Sequence, residues 1–152
     1  MTNEEVQKLR AAFADRAMYL ALLYRSFCEV LPPEQAEAQA RKAIYEYGRL
    51  KGAADTQRMD PESWMDHHAA GGARLFETEI VRLPDRTEMH MTTCPLLDGF
   101  RQAGCTPEEM DLLCDIAMEV DRGRADYHGI PWQITHRLGK GDTHCCLVLN
   151  KS

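Results

Sequence analysis

The sequence predicts an α+β protein in which N-terminal amphipathic helices pack on an antiparallel sheet built from two hairpins, with further helices between the hairpins. Apolar residues in the first third of the chain recur at three- and four-residue steps, which is typical of amphipathic helices. Two later segments alternate apolar and polar residues on either side of short turns, which is typical of hairpins. The length of 152 residues favours a single domain, residues 1–152.

Two prolines separate the first two predicted helices. Apolar spacing indicates a helix over about residues 4–31, which Pro32 ends. Pro33 suits the first turn of a second helix, because the N–H that proline lacks has no intrahelical partner there. That helix extends to about Leu50, and Gly48 marks either its end or a site of close packing.

A third helix and the first hairpin follow. Asp60 is a typical N-cap, and the pair Gly71–Gly72 is expected to end the helix. The pair His67–His68 within it is expected at the surface. Residues 75–83 and 87–93 then alternate in polarity and flank a three-residue turn, so we predict two antiparallel strands.

The second half is predicted to hold two more helices and the second hairpin. A short helix follows the first hairpin. Thr106 and Glu109 form a Thr-x-x-Glu capping box for a longer helix over 107–122, which Gly123 ends. Residues 131–151 are expected to form a hairpin around a Gly-Lys-Gly-Asp turn.

Charge and hydropathy disfavour some classes of binding partner. A net charge of −6 argues against nucleic acid and anionic membrane surfaces. No stretch approaches the ~18 apolar residues of a membrane span, and the start lacks the order of a signal peptide. We therefore expect a cytoplasmic protein whose cysteines need not pair, and whose partner is a small-molecule substrate. The long amphipathic helices are also compatible with a homodimer.

Residues that can act as nucleophiles, bases or metal ligands are concentrated in the last third of the chain, where five of the six cysteines and four of the six histidines lie. Cys94 stands directly before Pro95, so it is the predicted N-cap of the short helix. A helix N-terminus stabilises anions, which favours a thiolate and makes Cys94 the best nucleophile candidate. The alternative is a small residue buried where a strand meets a helix.

The helix over 107–122 carries a second candidate. Asp121 lies on the same apolar stripe as Cys114, and a carboxylate on such a face must be paired or have its pKa raised. Asp121 is therefore either a site residue or a group in the last turn that reaches solvent. Cys114 is more typical of a core position.

The last hairpin carries the third candidate. On a regular strand His144 and Cys145 point to opposite faces, and a bulge would be needed to bring them into one pocket. Asp142 lies in the turn, where local backbone hydrogen bonding is its alternative role. Trp132 is expected as an apolar wall of the sheet or of a pocket.

A metal site is the alternative interpretation of these cysteines and histidines. His90 and Cys94 share one face of a strand, and with Cys145 or His144 they would supply three ligands. The short paired spacings typical of structural zinc sites are missing, so no metal or other cofactor is expected.

The last sixty residues resemble the L-2-amino-thiazoline-4-carboxylic acid hydrolase family. The C-terminal strand that begins at the Gly-Asp turn is also similar, less closely, to a strand of ligand-binding domains of the 4-vinyl reductase type. A non-enzymatic binding role is therefore an alternative. The residues that carry the family resemblance are Cys94-Pro95, Cys114, Asp121, Gly141-Asp142 and His144-Cys145.

The resemblance implies a hydrolase that opens a small cyclic amidine or amide ring at a C–N or C–S bond. In one mechanism Cys94 attacks the ring carbon, His144 moves protons, and Asp121 or Asp142 binds the amidinium. In the other, a carboxylate–histidine pair activates water and the cysteines shape the pocket. A metal-dependent hydrolase is a further alternative. The expected substrate-binding residues are Cys145, Cys114, His90 and Trp132.

Overall fold

The computed structural model describes residues 1–55 and 57–151, which form six α-helices, a short 3₁₀ turn and a four-stranded sheet. The helices are α1 (Asn3–Val30), α2 (Pro33–Ala54), α3 (Pro61–Phe76), α4 (Pro95–Gln102), α5 (Pro107–Ala117) and α6 (Glu119–His128). The strands are β1 (Thr78–Arg82), β2 (Arg86–Met91), β3 (Trp132–His136) and β4 (Cys145–Asn150), and the 3₁₀ turn is Leu138–Lys140. This confirms the predicted α+β class. Within the described ranges, no helix combines the length and apolar character needed to cross a membrane.

Both predicted hairpins are present, and they join into one antiparallel sheet in the order β1-β2-β4-β3. Met91 lies opposite Cys145 and His90 opposite Cys146, so β2 and β4 alternate in step between two faces. The inner face carries Thr87, Met89, Met91, Cys145, Leu147 and Leu149. The outer face carries Glu88, His90, Cys146 and Val148.

The helices α1 and α2 pack mainly on other helices, with α1 against α4 and α2 against α6. A Cβ atom at Gly48 would overlap the backbone carbonyl of Val120, so this glycine permits close packing and does not end α2. Similarly, a Cβ at Gly123 would overlap the carbonyl of Tyr45. The two glycines therefore set the separation of α2 and α6.

The prediction that Gly71 and Gly72 end the third helix is wrong, because α3 continues to Phe76. A glycine inside a helix costs roughly 1 kcal/mol. This cost is outweighed because α3 buries one side, including Trp64, Met65 and Ala69, against the inner face of the sheet.

The predicted helix over 107–122 is two helices. Its capping box is confirmed, but the helix is interrupted at Met118, which lies between α5 and α6. Gly123 lies inside α6, so the prediction that it ends the helix is wrong. Gly129, with a left-handed φ of 75°, ends it instead.

Candidate active site

A cavity of about 340 Å³ separates the inner face of the sheet from the surrounding helices. Met89, Met91 and Cys145 form its sheet side, and Leu97 and Phe100 of α4 form an apolar wall. All six helices contribute lining residues. The cavity is therefore a mostly apolar, partly open space that the N-terminal helices help to cover.

Cys94 lines this cavity and is the N-cap residue of α4, as predicted. Burial among apolar atoms nevertheless raises the pKa of its thiol to about 12, and the neighbouring thiol of Cys114 adds to the effect. The backbone N–H of Leu97, at the start of α4, acts in the opposite direction and is outweighed. Desolvation therefore opposes the expected thiolate at neutral pH more strongly than the helix N-terminus favours it.

Two further cysteines line the same cavity. Burial raises the pKa of the Cys145 thiol to about 11, and it raises the pKa of Cys114 as well. The backbone N–H of Leu138 donates a hydrogen bond to Sγ of Cys145 at 3.3 Å. The three thiols are therefore neutral at pH 7, and they form a compact, weakly polar wall.

Asp121 lines the cavity together with His68 of α3. Nε2 of His68 lies 3.2 Å from Oδ1 of Asp121, and the two side chains are only 16% and 21% exposed. The imidazole is stacked on the indole of Trp64, with ring centroids 4.8 Å apart. This carboxylate–imidazole pair is a polar feature of a mostly apolar lining.

The expectation that His68 lies at the surface is wrong. Trp64 and His68 are four residues apart, so a helix that buries one side chain also buries the other. This signal was present in the sequence. Of the two neighbouring histidines, His67 is exposed as expected, whereas the packing of α3 on the sheet turns His68 inward with Trp64.

Positive charge lies at the mouth of the cavity. Arg16 and Lys51 are exposed lining residues, and among the described residues neither has a carboxylate within 4 Å. Their side chains lie over the rings of Phe13 and Tyr47, at 4.4 and 5.1 Å from the centroids. Two uncompensated cations beside an apolar opening favour an anionic ligand.

A third cation of the lining, Arg124, is compensated. Its Nε donates to Oδ2 of Asp55 at 3.0 Å, and Nε2 of His128 lies 2.8 Å from the same oxygen. The hydrogen bond from Arg124, supported by His128, lowers the pKa of the Asp55 carboxyl to about 2. Arg124 therefore ties α6 to the end of α2 and is not free to bind a ligand.

The remaining predicted site residues lie outside the cavity lining. His144 and His90 lie together at the outer face, with ring centroids 4.8 Å apart, so His144 is not brought to Cys94. Oδ2 of Asp142 accepts a hydrogen bond from the backbone N–H of Arg137 at 2.8 Å, which is the local turn role. Trp132 packs against Trp64 as a wall of the sheet, with ring centroids 6.2 Å apart.

No curated protein matches this sequence. The sequence model of the family described as L-2-amino-thiazoline-4-carboxylic acid hydrolase matches residues 10–148, from the first turns of α1 into β4. The matched region contains the cavity-lining residues Cys94, Asp121 and Cys145. The chain belongs to the L-2-amino-thiazoline-4-carboxylic acid hydrolase family, and the resemblance found in the sequence is confirmed.

Proposed function

We propose that this protein is a hydrolase that opens a small cyclic amidine- or amide-type ring with a water molecule activated by Asp121 and His68. The observation that supports this proposal is the pair of Asp121 and His68 in an apolar cavity. The family name denotes a hydrolase. A partly buried carboxylate beside an imidazole is a suitable general base.

The dimensions and charges of the cavity support a small carboxylate-bearing ring as the substrate class. A volume of about 340 Å³ is near the lower end of ligand pockets. Arg16 and Lys51 would attract a carboxylate at the mouth, and Asp121 would hold an amidinium-like nitrogen inside. The neutral cysteines would contact the remainder of the ring.

In the proposed reaction, water adds to the ring carbon that lies between two heteroatoms. The Asp121–His68 pair accepts a proton from the water as the new C–O bond forms. The tetrahedral adduct then collapses, the ring C–N or C–S bond breaks, and the pair returns the proton to the leaving atom. One water molecule is consumed and no redox partner is needed.

This route is preferred to attack by Cys94. Burial raises the pKa of the Cys94 thiol to about 12, so the neutral thiol predominates at pH 7. Among the cavity residues that the structure describes, His68 is paired with Asp121, and the side chains that act on the Cys94 thiol are the thiols of Cys114 and Cys145. Cys94 therefore lacks the adjacent base that activates a nucleophile.

The test is turnover of L-2-amino-thiazoline-4-carboxylate and related ring amidines by the full chain, followed by product analysis. We expect Asp121→Asn and His68→Gln to lower kcat by about 10²–10⁴-fold while the proteins remain folded. His67→Gln, which changes the exposed neighbour, is the matched control. Cys94→Ser should keep activity within several-fold, and its complete loss would instead support the covalent mechanism. Tight binding without any product would favour a ligand-binding domain.

A further inference from the structure

We propose a second site, for a zinc ion or a similar borderline-soft divalent cation, at the outer face of the sheet, where His90, His144 and Cys146 meet. The ligand atoms of these three residues all lie within 4.8 Å of one another. They come from β2, the turn before β4, and β4 itself. Residues distant in sequence are thus brought together by strand pairing, which explains why spacing alone gave no zinc signature.

The pairing register builds this cluster directly. His90 lies opposite Cys146 in the β2–β4 ladder, so their side chains share the outer face. His136 is also placed opposite Cys146, because the β3–β4 register shifts between Ile134 and His136. The ring of His136 stacks on that of His144, with centroids 5.1 Å apart, so a fourth potential nitrogen donor lies beside the three.

The donor set fits zinc. Two imidazoles and one thiolate are ligand types that zinc binds in tetrahedral sites, and water or His136 would complete the coordination. Tetrahedral bonds of 2.0–2.3 Å place ligand atoms about 3.3–3.6 Å apart, so side-chain rotations must close the cluster by about 1 Å. The carboxylate of Glu88 lies 2.8 Å from Nε2 of His90 and orients that ring.

This site is distinct from the cavity. Cys145 faces the cavity while its neighbour Cys146 faces the outer side, so the cation would lie across the sheet from Asp121. Bound there, it would join β2 to the β3–β4 hairpin. We therefore expect a structural contribution, and the proposal stands whether or not the hydrolase function holds.

The test is metal binding by the full chain after chelation and dialysis. Titration with zinc against a chromophoric chelator should give one equivalent bound, and zinc should raise the Tm. Titration with Co²⁺ should give the intense visible bands of a four-coordinate site and the charge-transfer absorption of a thiolate ligand. Cys146→Ser should abolish the thiolate absorption and weaken zinc binding by about 100-fold or more, and His144→Asn should weaken it similarly.

Cys145→Ser is the matched control, because it removes the adjacent thiol on the opposite face. It should retain the cobalt spectrum and the zinc stoichiometry. The proposal is overturned if the wild-type protein binds no stoichiometric zinc, or if Cys146→Ser binds zinc as the wild type does. Loss of binding in Cys145→Ser alone would also overturn it, because the ion would then lie in the cavity. Circular dichroism of each variant separates loss of the site from loss of the fold.

Discussion

Nε2 of His68, in the middle of α3, lies 3.2 Å from Oδ1 of Asp121, in the first turn of α6. The contact joins the helix packed on the sheet to the helix packed on α2, across the apolar cavity. The Asp121 side chain is only partly exposed, and a polar partner compensates a carboxylate for the solvent contacts that it loses. The contact gives Asp121 a polar partner at the wall of the apolar cavity.

We expect the two cations at the cavity mouth to act on substrate binding and not on the chemical step. Arg16→Ala and Lys51→Ala should each raise KM by about 3- to 10-fold for a carboxylate-bearing ring, with kcat nearly unchanged, because exposed charges contribute modestly. The effect should fall at high salt. Lys42→Ala, which changes an exposed cation outside the cavity lining, is the control. An equal effect on an uncharged ring would show that the charges do not bind the carboxylate.

We expect Cys94 to react slowly with iodoacetamide at neutral pH. Burial raises the pKa of its thiol to about 12, so its alkylation rate should increase about tenfold per pH unit as the pH rises toward 12. Peptide mapping after limited labelling checks this, with the exposed Cys28 as the internal comparison. Labelling in urea should remove the protection of Cys94. Fast, stoichiometric alkylation of folded protein at pH 7 would contradict the burial argument.

We expect Asp55 to contribute to acid stability. Its pKa is lowered from 3.8 to about 2, chiefly by the hydrogen bond from Arg124. A depressed pKa gives stability that is present above about pH 4 and is lost as the pH falls through about 2. Asp55→Asn should lower the free energy of unfolding by about 1–2 kcal/mol at pH 7 and flatten the decline between pH 4 and 2.

Urea unfolding at a series of pH values measures this contribution. Asp98→Asn is the control, because among the described residues Asp98 forms a single exposed pair, with Arg101, and the substitution should change stability by less than about 0.5 kcal/mol. An Asp55 variant as stable as the wild type at pH 7 would show that the Arg124–Asp55 pair makes no net contribution.

We expect the approach of α2 to α6 to be sensitive to a single methyl group. In Gly123→Ala the new Cβ overlaps the carbonyl of Tyr45, so the free energy of unfolding should fall by about 1–3 kcal/mol. Gly71→Ala is the matched control, since a Cβ at Gly71 meets nothing within 4 Å inside the helix α3. Gly71→Ala should stabilise the protein by up to about 1 kcal/mol. Thermal unfolding of both variants tests whether packing, and not glycine flexibility, selects Gly123.

The sequence predicts those features of the fold that arise from local patterns. Alternation defines both hairpins, the Thr106 capping box defines the start of α5, and the Cys94-Pro95 pair defines the start of α4. These features depend on residues a few positions apart. They need no knowledge of which element lies opposite.

The composition of the candidate site is harder to predict. Periodicity shows which side of a helix is apolar, but it does not show which distant element covers that side. Asp121 is identified by its place on a predicted apolar stripe. His68 is not, because the pair His67–His68 is expected at the surface and only the packing of α3 shows which of the two faces inward. Whether His144 and Cys145 face one pocket depends on a bulge that the sequence does not reveal, and the structure pairs β4 regularly with β2 from Cys145 to Asn150.

The alternation of β4 restricts how the chain tolerates insertions and deletions. Adding or removing one residue between the 3₁₀ turn and Cys145, with the strand slipping to follow, would turn Cys146 into the cavity and Cys145 outward. It would also expose Leu147 and Leu149, which are buried on the inner face. The length of this loop should therefore vary in steps of two residues. A change of one residue would need a compensating bulge that keeps Cys145 on the inner face and Cys146 on the outer face.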